Sequence, residues 1–109
     1  MITKKQFDEE IQNVVNQLIS LYKPEKIILF GSLAEGEIKQ GTDIDLFIIK
    51  SDVPEFGVDR IRQLDALIKY RLATDFIVYR PEELQHRLKL GAPFVKTILE
   101  KGKVLYDAA

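Results

Sequence analysis

Lys26-Ile27-Ile28-Leu29-Phe30-Gly31-Ser32, ten residues from Leu33 to Thr42, and then Asp43-Ile44-Asp45-Leu46-Phe47-Ile48-Ile49-Lys50 is the stretch that decides the fold. Lys26–Phe30 has no polar residue in its middle, so it reads as a short strand buried on both faces. Gly31-Ser32 breaks it. Asp43–Lys50, rich in isoleucine and phenylalanine, reads as a second strand. Between them Leu33–Ile38 has room for one or two helical turns, and Gly36 and Gly41 punctuate the loop.

Working outward, Thr3 and Gln6 have the spacing of a capping box. Behind them Phe7, Ile11, Val14, Val15, Leu18, Ile19 and Tyr22 follow a helical period that Pro24 stops. On the other side Ser51–Gly57 is a connection. Val58, Ile61, Leu64, Leu67, Ile68 and Leu72 predict an amphipathic helix, and Thr74–Tyr79 a third strand. Pro81, with Glu82 and Glu83 in the first turn, opens a helix that runs to Gly91. Pro93–Lys101 predicts a last helix closed by Gly102. Val104-Leu105-Tyr106 is an edge strand or a docking tail. The expected class is α+β: a small mixed sheet of three or four strands flanked by helices, in one domain spanning residues 1–109. The first two strands, joined by so short a link, could be antiparallel.

Composition excludes several functions. The chain has 109 residues, 46% apolar and 30% charged, the balance of a globular domain rather than a disordered one. Apolar runs such as Ile27–Phe30 are far too short to span a bilayer, so no membrane is expected. No signal peptide is apparent at the N-terminus, and a cytoplasmic location is expected. With no cysteine, thiolate nucleophiles, disulfides and cysteine-ligated zinc are excluded. Sixteen basic against 17 acidic residues, a net charge of -1, argue against a protein that wraps duplex nucleic acid.

The chemistry lies in Asp43-Ile44-Asp45. Residues two apart in a strand share a face, with Cα atoms roughly 6.6 Å apart. Two carboxylates at that distance repel by roughly 2.5 kcal/mol at an effective dielectric of about 20. An otherwise apolar strand has no structural use for this. Asp75 opens the third strand, beside Phe76-Ile77-Val78. If the strands pair, three carboxylates converge at one sheet end, an arrangement suited to hard divalent cations that also hold phosphates. Two such cations can clamp the attacking and leaving oxygens of a phosphoryl transfer. Gly31-Ser32, directly after a buried strand, allows close backbone approach and free N–H groups for a phosphate. By itself it is an ordinary turn; its weight comes from the aspartates. No Gly-Lys-Ser/Thr is present, which excludes a Walker-type loop.

Gly-Ser, ten residues, then Asp-x-Asp resembles the signature of the nucleotidyltransferase superfamily that includes DNA polymerase beta. The surrounding Phe30-Gly31-Ser32-Leu33-Ala34-Glu35-Gly36 and Gly41-Thr42-Asp43-Ile44-Asp45-Leu46 is similar to its minimal nucleotidyltransferase branch, over nearly the whole chain. The resemblance implies that Asp43 and Asp45 ligate two magnesium ions. Asp75 would complete the site as ligand or base. Gly31 and Ser32 would hold the β and γ phosphates of ATP or another nucleoside triphosphate. The implied reaction moves a nucleoside monophosphate to a hydroxyl, with pyrophosphate leaving. Many members of the branch look like the antitoxin half of a two-gene module, whose partner is a small helical HEPN protein with RNase activity. The implied acceptor is then a partner tyrosine, which becomes AMPylated. Oligomeric state stays open.

The chain departs from the family pattern in two respects. Leu33 and Glu35 stand where relatives frequently carry arginine, leaving Lys39 as the nearest cation in the loop, and Thr42 stands where serine is common. The missing arginines motivate a second reading, an antitoxin-like module that neutralises a helical partner by contact. A metal-dependent phosphohydrolase or nuclease is a third, disfavoured by the Gly-Ser spacing. His86 and the dispersed Arg60, Arg62, Arg71 and Arg80 read as solvated or locally paired, with Arg80 the one able to reach a ligand. Tyr22, Tyr70, Tyr79 and Tyr106 read as packing residues.

Overall fold

The computed structural model describes residues 1–109. The elements are α1 (Lys4–Gln17), continued by a π-helical turn over Leu18–Tyr22; β1 (Lys26–Phe30); β2 (Ile44–Ile49); α2 (Gly57–Leu67); β3 (Thr74–Tyr79); α3 (Pro81–Lys89); α4 (Pro93–Lys101); and β4 (Lys103–Asp107). The α1 capping box is formed in both directions. Gln6 N donates to Thr3 Oγ1 at 3.2 Å and Thr3 N to Gln6 Oε1 at 2.8 Å. The π turn ends at Lys23, whose left-handed φ of 57° precedes Pro24.

The sheet order is β3-β2-β1-β4. β1 is antiparallel to both β2 and β4, and β2 is parallel to β3. The sheet is mixed and the architecture α+β, as the sequence predicts, with the β1–β2 pair antiparallel and Val104–Tyr106 inside an edge strand. β2 is central and covered on both faces, which is why it is apolar almost throughout. Ile44, Leu46 and Ile48 pack with Val14, Leu18 and Leu64 of the α1–α2 side. Phe47 and Ile49 pack with Ile28 of β1 and with Leu84, Val95 and Ile98 of α3 and α4. By alternation Asp45 belongs to the α3–α4 face. It occupies the row position in front of Phe47, where the apolar layer gives out.

Two expected boundaries are corrected. α2 ends at Leu67, because Ile68 is extended at φ -99°, ψ 131°. The link Ile68–Ala73 is instead tied to α1. Gln17 Oε1 accepts from Lys69 N at 2.8 Å, and the Glu10 carboxylate accepts from the Arg71 and Leu72 N–H groups. These side-chain acceptors replace the helical hydrogen bonds that would carry α2 to Leu72. Leu33–Ile38 is a series of turns rather than a helix. Glu37 N closes back on Ser32 O at 2.9 Å, and Gly36, at φ 80°, ends the run.

Candidate active site

Pairing places the sequence-predicted residues at one corner. Asp45 stands opposite Phe30 on one side and opposite Asp75 on the other. In-register neighbours on adjacent strands lie about 4.8 Å apart at the backbone. Asp75 and Asp45 therefore approach more closely across the strands than Asp43 and Asp45 do along one. Asp43 directly precedes β2, two positions before Asp45, and Ile44 N donates to Ala73 O at 3.0 Å, fixing the start of β2 beside that of β3. The turn delivering Asp43 is closed by Thr42: its Oγ1 accepts from Lys39 N at 2.9 Å, and its N–H donates to Lys39 O at 3.1 Å. The hydroxyl at position 42 is thus structural.

Gly31 completes the corner. Its φ is +73°, and a Cβ there would collide with Asp45 Oδ2. Only glycine lets the chain turn here while keeping that carboxylate oxygen against the backbone. The N–H groups of Ser32 and Leu33 make no hydrogen bond within the chain, while Gly31 O and Ser32 O receive the amides that follow. The result is a first turn with donors free for an anion. Leu33 is buried in the α1–α2 core and does not face the corner.

The electrostatics follow from this geometry. Burial pushes the Asp45 carboxyl above the usual aspartate range, and the nearby Asp75 and Asp43 charges push it further. No salt bridge relieves any of the three aspartates. The carboxylates share a sheet end, but they do not close into a three-ligand cation cage. Their all-oxygen donor set and the Gly31 cradle, which a Cβ would fill, fit a hard divalent cation carrying phosphate oxygens.

The other residues considered from sequence lie elsewhere. Arg80 follows β3 at the opposite end of the strand from Asp75, and its Nη2 donates to Val53 O at 2.8 Å. His86 is exposed on α3. Arg60 is a correction: it is buried, and its guanidinium donates to Pro54 O, Glu55 O, Val78 O and both oxygens of Glu83. Its partner is 23 residues away in sequence, and no local signal marks it. Glu10, likewise buried and unremarked in the sequence, anchors the link leading to β3 and hence the position of Asp75.

A model of the nucleotidyltransferase domain family matches residues 11–106. The chain belongs to that family. It is a nucleotidyltransferase, as the Gly-Ser and Asp-x-Asp spacing indicates. It is 37% identical over 101 residues to a "putative protein adenylyltransferase" of Methanocaldococcus jannaschii, covering 91% of this chain and 97% of that one. A second protein so named from the same organism is 27% identical over 111 residues, covering 92% of this chain and 74% of its own length. The fold is that of a crystal structure titled as a "putative nucleotidyltransferase" from Sulfolobus solfataricus. The TM-score is 0.58 at 20% identity, over 96% of this chain and 80% of the other.

Proposed function

We propose that this nucleotidyltransferase moves AMP from ATP to a hydroxyl of a protein partner, with Asp43, Asp45 and Asp75 as the catalytic carboxylates. The single observation that carries this reading is the Asp45 carboxylate, wedged against Gly31 on one side and in register with Asp75 on the other. The names of the two archaeal relatives support a protein acceptor.

In this reading the free N–H groups of Ser32 and Leu33, beside the Gly31 turn, take the β and γ phosphates. Asp43 and Asp45 are the residues that would hold two magnesium ions, which supply charge neutralisation at the phosphates. Asp75, the most exposed of the aligned pair, takes the proton of the incoming hydroxyl. The acceptor oxygen bonds to the α-phosphorus, and the α–β bridging bond breaks. Its electron pair leaves on pyrophosphate. No covalent enzyme intermediate is needed; the chain contributes positioning and fixed dipoles. The acceptor proposed is a tyrosine of a HEPN-type helical partner, so that the chain acts as an antitoxin in the cytoplasm.

The test is incubation of the purified chain with such a partner, magnesium and ATP labelled at the α-phosphate. Label should appear on a partner tyrosine, located by mass spectrometry, with release of pyrophosphate. Asp45→Asn should cut transfer by about a hundredfold or more, the scale of losing one group that stabilises transition-state charge. Transfer undiminished in Asp45→Asn would overturn the assignment. The contact-only reading is favoured by one observation: Leu33 is buried and Glu35 acidic, so the turn after β1 brings no positive charge to the corner. That reading requires neutralisation of the partner to survive Asp45→Asn without nucleotide.

A further inference from the structure

A triphosphate carries several negative charges, and this corner already holds three aspartates. Glu35 adds a fourth carboxylate beside Gly31, along the same cavity wall. The loop's own cation, Lys39, does not face Gly31. It lines a separate cavity of ≈ 550 Å³ beside Asp43, and its Nζ is 3.4 Å from Glu37 Oε2. Positive charge for phosphates at Gly31 must therefore come from outside the β1–β2 loop.

The structure supplies one source. A cavity of ≈ 220 Å³ opens at Gly31, walled by Phe30 and Glu35 on one side and by Phe94, Thr97 and Lys101 of α4 on the other. Phe94, Thr97, Ile98 and Lys101 are spaced i, i+3, i+4, i+7 and so share one face of α4. The face is anchored at both ends. The Phe94 ring meets Phe30 edge-on at 5.8 Å. Gly102 lies flush on β1, where a Cβ would come within 2.6 Å of Ile28 Cγ2. Lys101 is thereby held at the mouth of the cavity, exposed, with no carboxylate within 4.0 Å of its ammonium. Its place in the last turn of α4 offsets the helix dipole, but that role needs no cavity and no aromatic anchor.

We propose that Lys101 is the phosphate-binding cation of the site, contacting the β and γ phosphates of a nucleoside triphosphate seated on Gly31 and Ser32. The proposal rests on the nucleotide reading above. It gives α4, not the β1–β2 loop, the task of holding the β and γ phosphates.

The test is isothermal titration of ATP and of AMP, each with magnesium, into the wild-type chain, Lys101→Ala and Lys101→Arg. Lys101→Ala should weaken ATP binding about tenfold, equivalent to about 1.4 kcal/mol, and leave AMP binding within a factor of two or so. Lys101→Arg should restore most of the loss. In turnover, KM for ATP should rise in Lys101→Ala more than kcat falls. Equal ATP affinity in wild type and Lys101→Ala overturns the proposal and leaves the nucleotide reading standing. So does an equal loss for ATP and AMP, which a merely structural lysine would produce. A wild-type chain that binds no ATP overturns the nucleotide reading itself, and the proposal with it.

Discussion

The two ends of β3 treat charge in opposite ways. Beyond its C-terminal end, Glu83 meets a buried arginine and every guanidinium N–H of Arg60 has an acceptor. At its N-terminal end Asp75 lies beside Asp45 with no cation to balance either. The pKa directions follow. The hydrogen bond from Arg60 holds the Glu83 carboxyl below the usual glutamate range despite partial burial. Burial and two like charges hold Asp45 above the aspartate range. A fold that neutralises one end so completely has the means to neutralise the other. The three aspartates at the other end have no such compensation within the chain.

Substitutions can break this contrast. Arg60→Ala should be the most damaging, since it strands Glu83 and three backbone carbonyls. We expect a loss of about 3 kcal/mol or more in urea unfolding. A loss under about 1 kcal/mol would show that the neutralised end contributes little. At the other end, magnesium plus ATP at about a hundred times Kd should stabilise the chain by about 2.7 kcal/mol, read as a rise in melting temperature. No rise would mean that the uncompensated end binds neither. Glu10→Ala should cost about 2 kcal/mol, because the Arg71 and Leu72 N–H groups lose their acceptor. It should also lower transfer activity by loosening Asp75.

The pH dependence sharpens the same point. Burial alone would raise the Glu10 carboxyl, but bonds from Leu72 N, Arg71 N and Asn13 together hold it below its ordinary value. Glu10 and Glu83 thus both have folded values below their unfolded ones. Their stabilisation is complete above the ordinary glutamate value of about 4.3 and is lost as pH falls through the lowered values. Protonation of these two glutamates should lower the unfolding midpoint below pH of about 5. Glu10→Gln should flatten part of that drop. The smallest expected effect has the opposite sign. Asp45→Asn should stabilise the metal-free chain by about 0.5 kcal/mol, the scale of a partly screened charge pair, while cutting transfer by about a hundredfold or more. Destabilisation of 1 kcal/mol or more would show that the Asp45 charge supports the fold.

Much of this was legible without coordinates because it depends on local periodicity. The central strand and the glycine-serine break follow from alternation two residues apart and from backbone conformations open to glycine. α1 and β3 were equally readable from apolar spacing and flanking breakers. The end of α2 was not, since Ile68 and Leu72 keep a helical period. What straightens the chain there is a pair of acceptors on α1, Gln17 and Glu10.

The sequence by itself determined that Asp45 lies on one face of an apolar strand that follows a glycine-serine turn, because side-chain direction in a strand repeats every second residue. Only the tertiary structure decided that Asp75 stands level with Asp45, since register between strands far apart in the chain is set by packing on both sheet faces. The same holds for the burial of Arg60, the removal of Leu33 from the corner and the approach of Lys101 to Gly31. Each is a distance across the fold, set by how helices seat on the sheet.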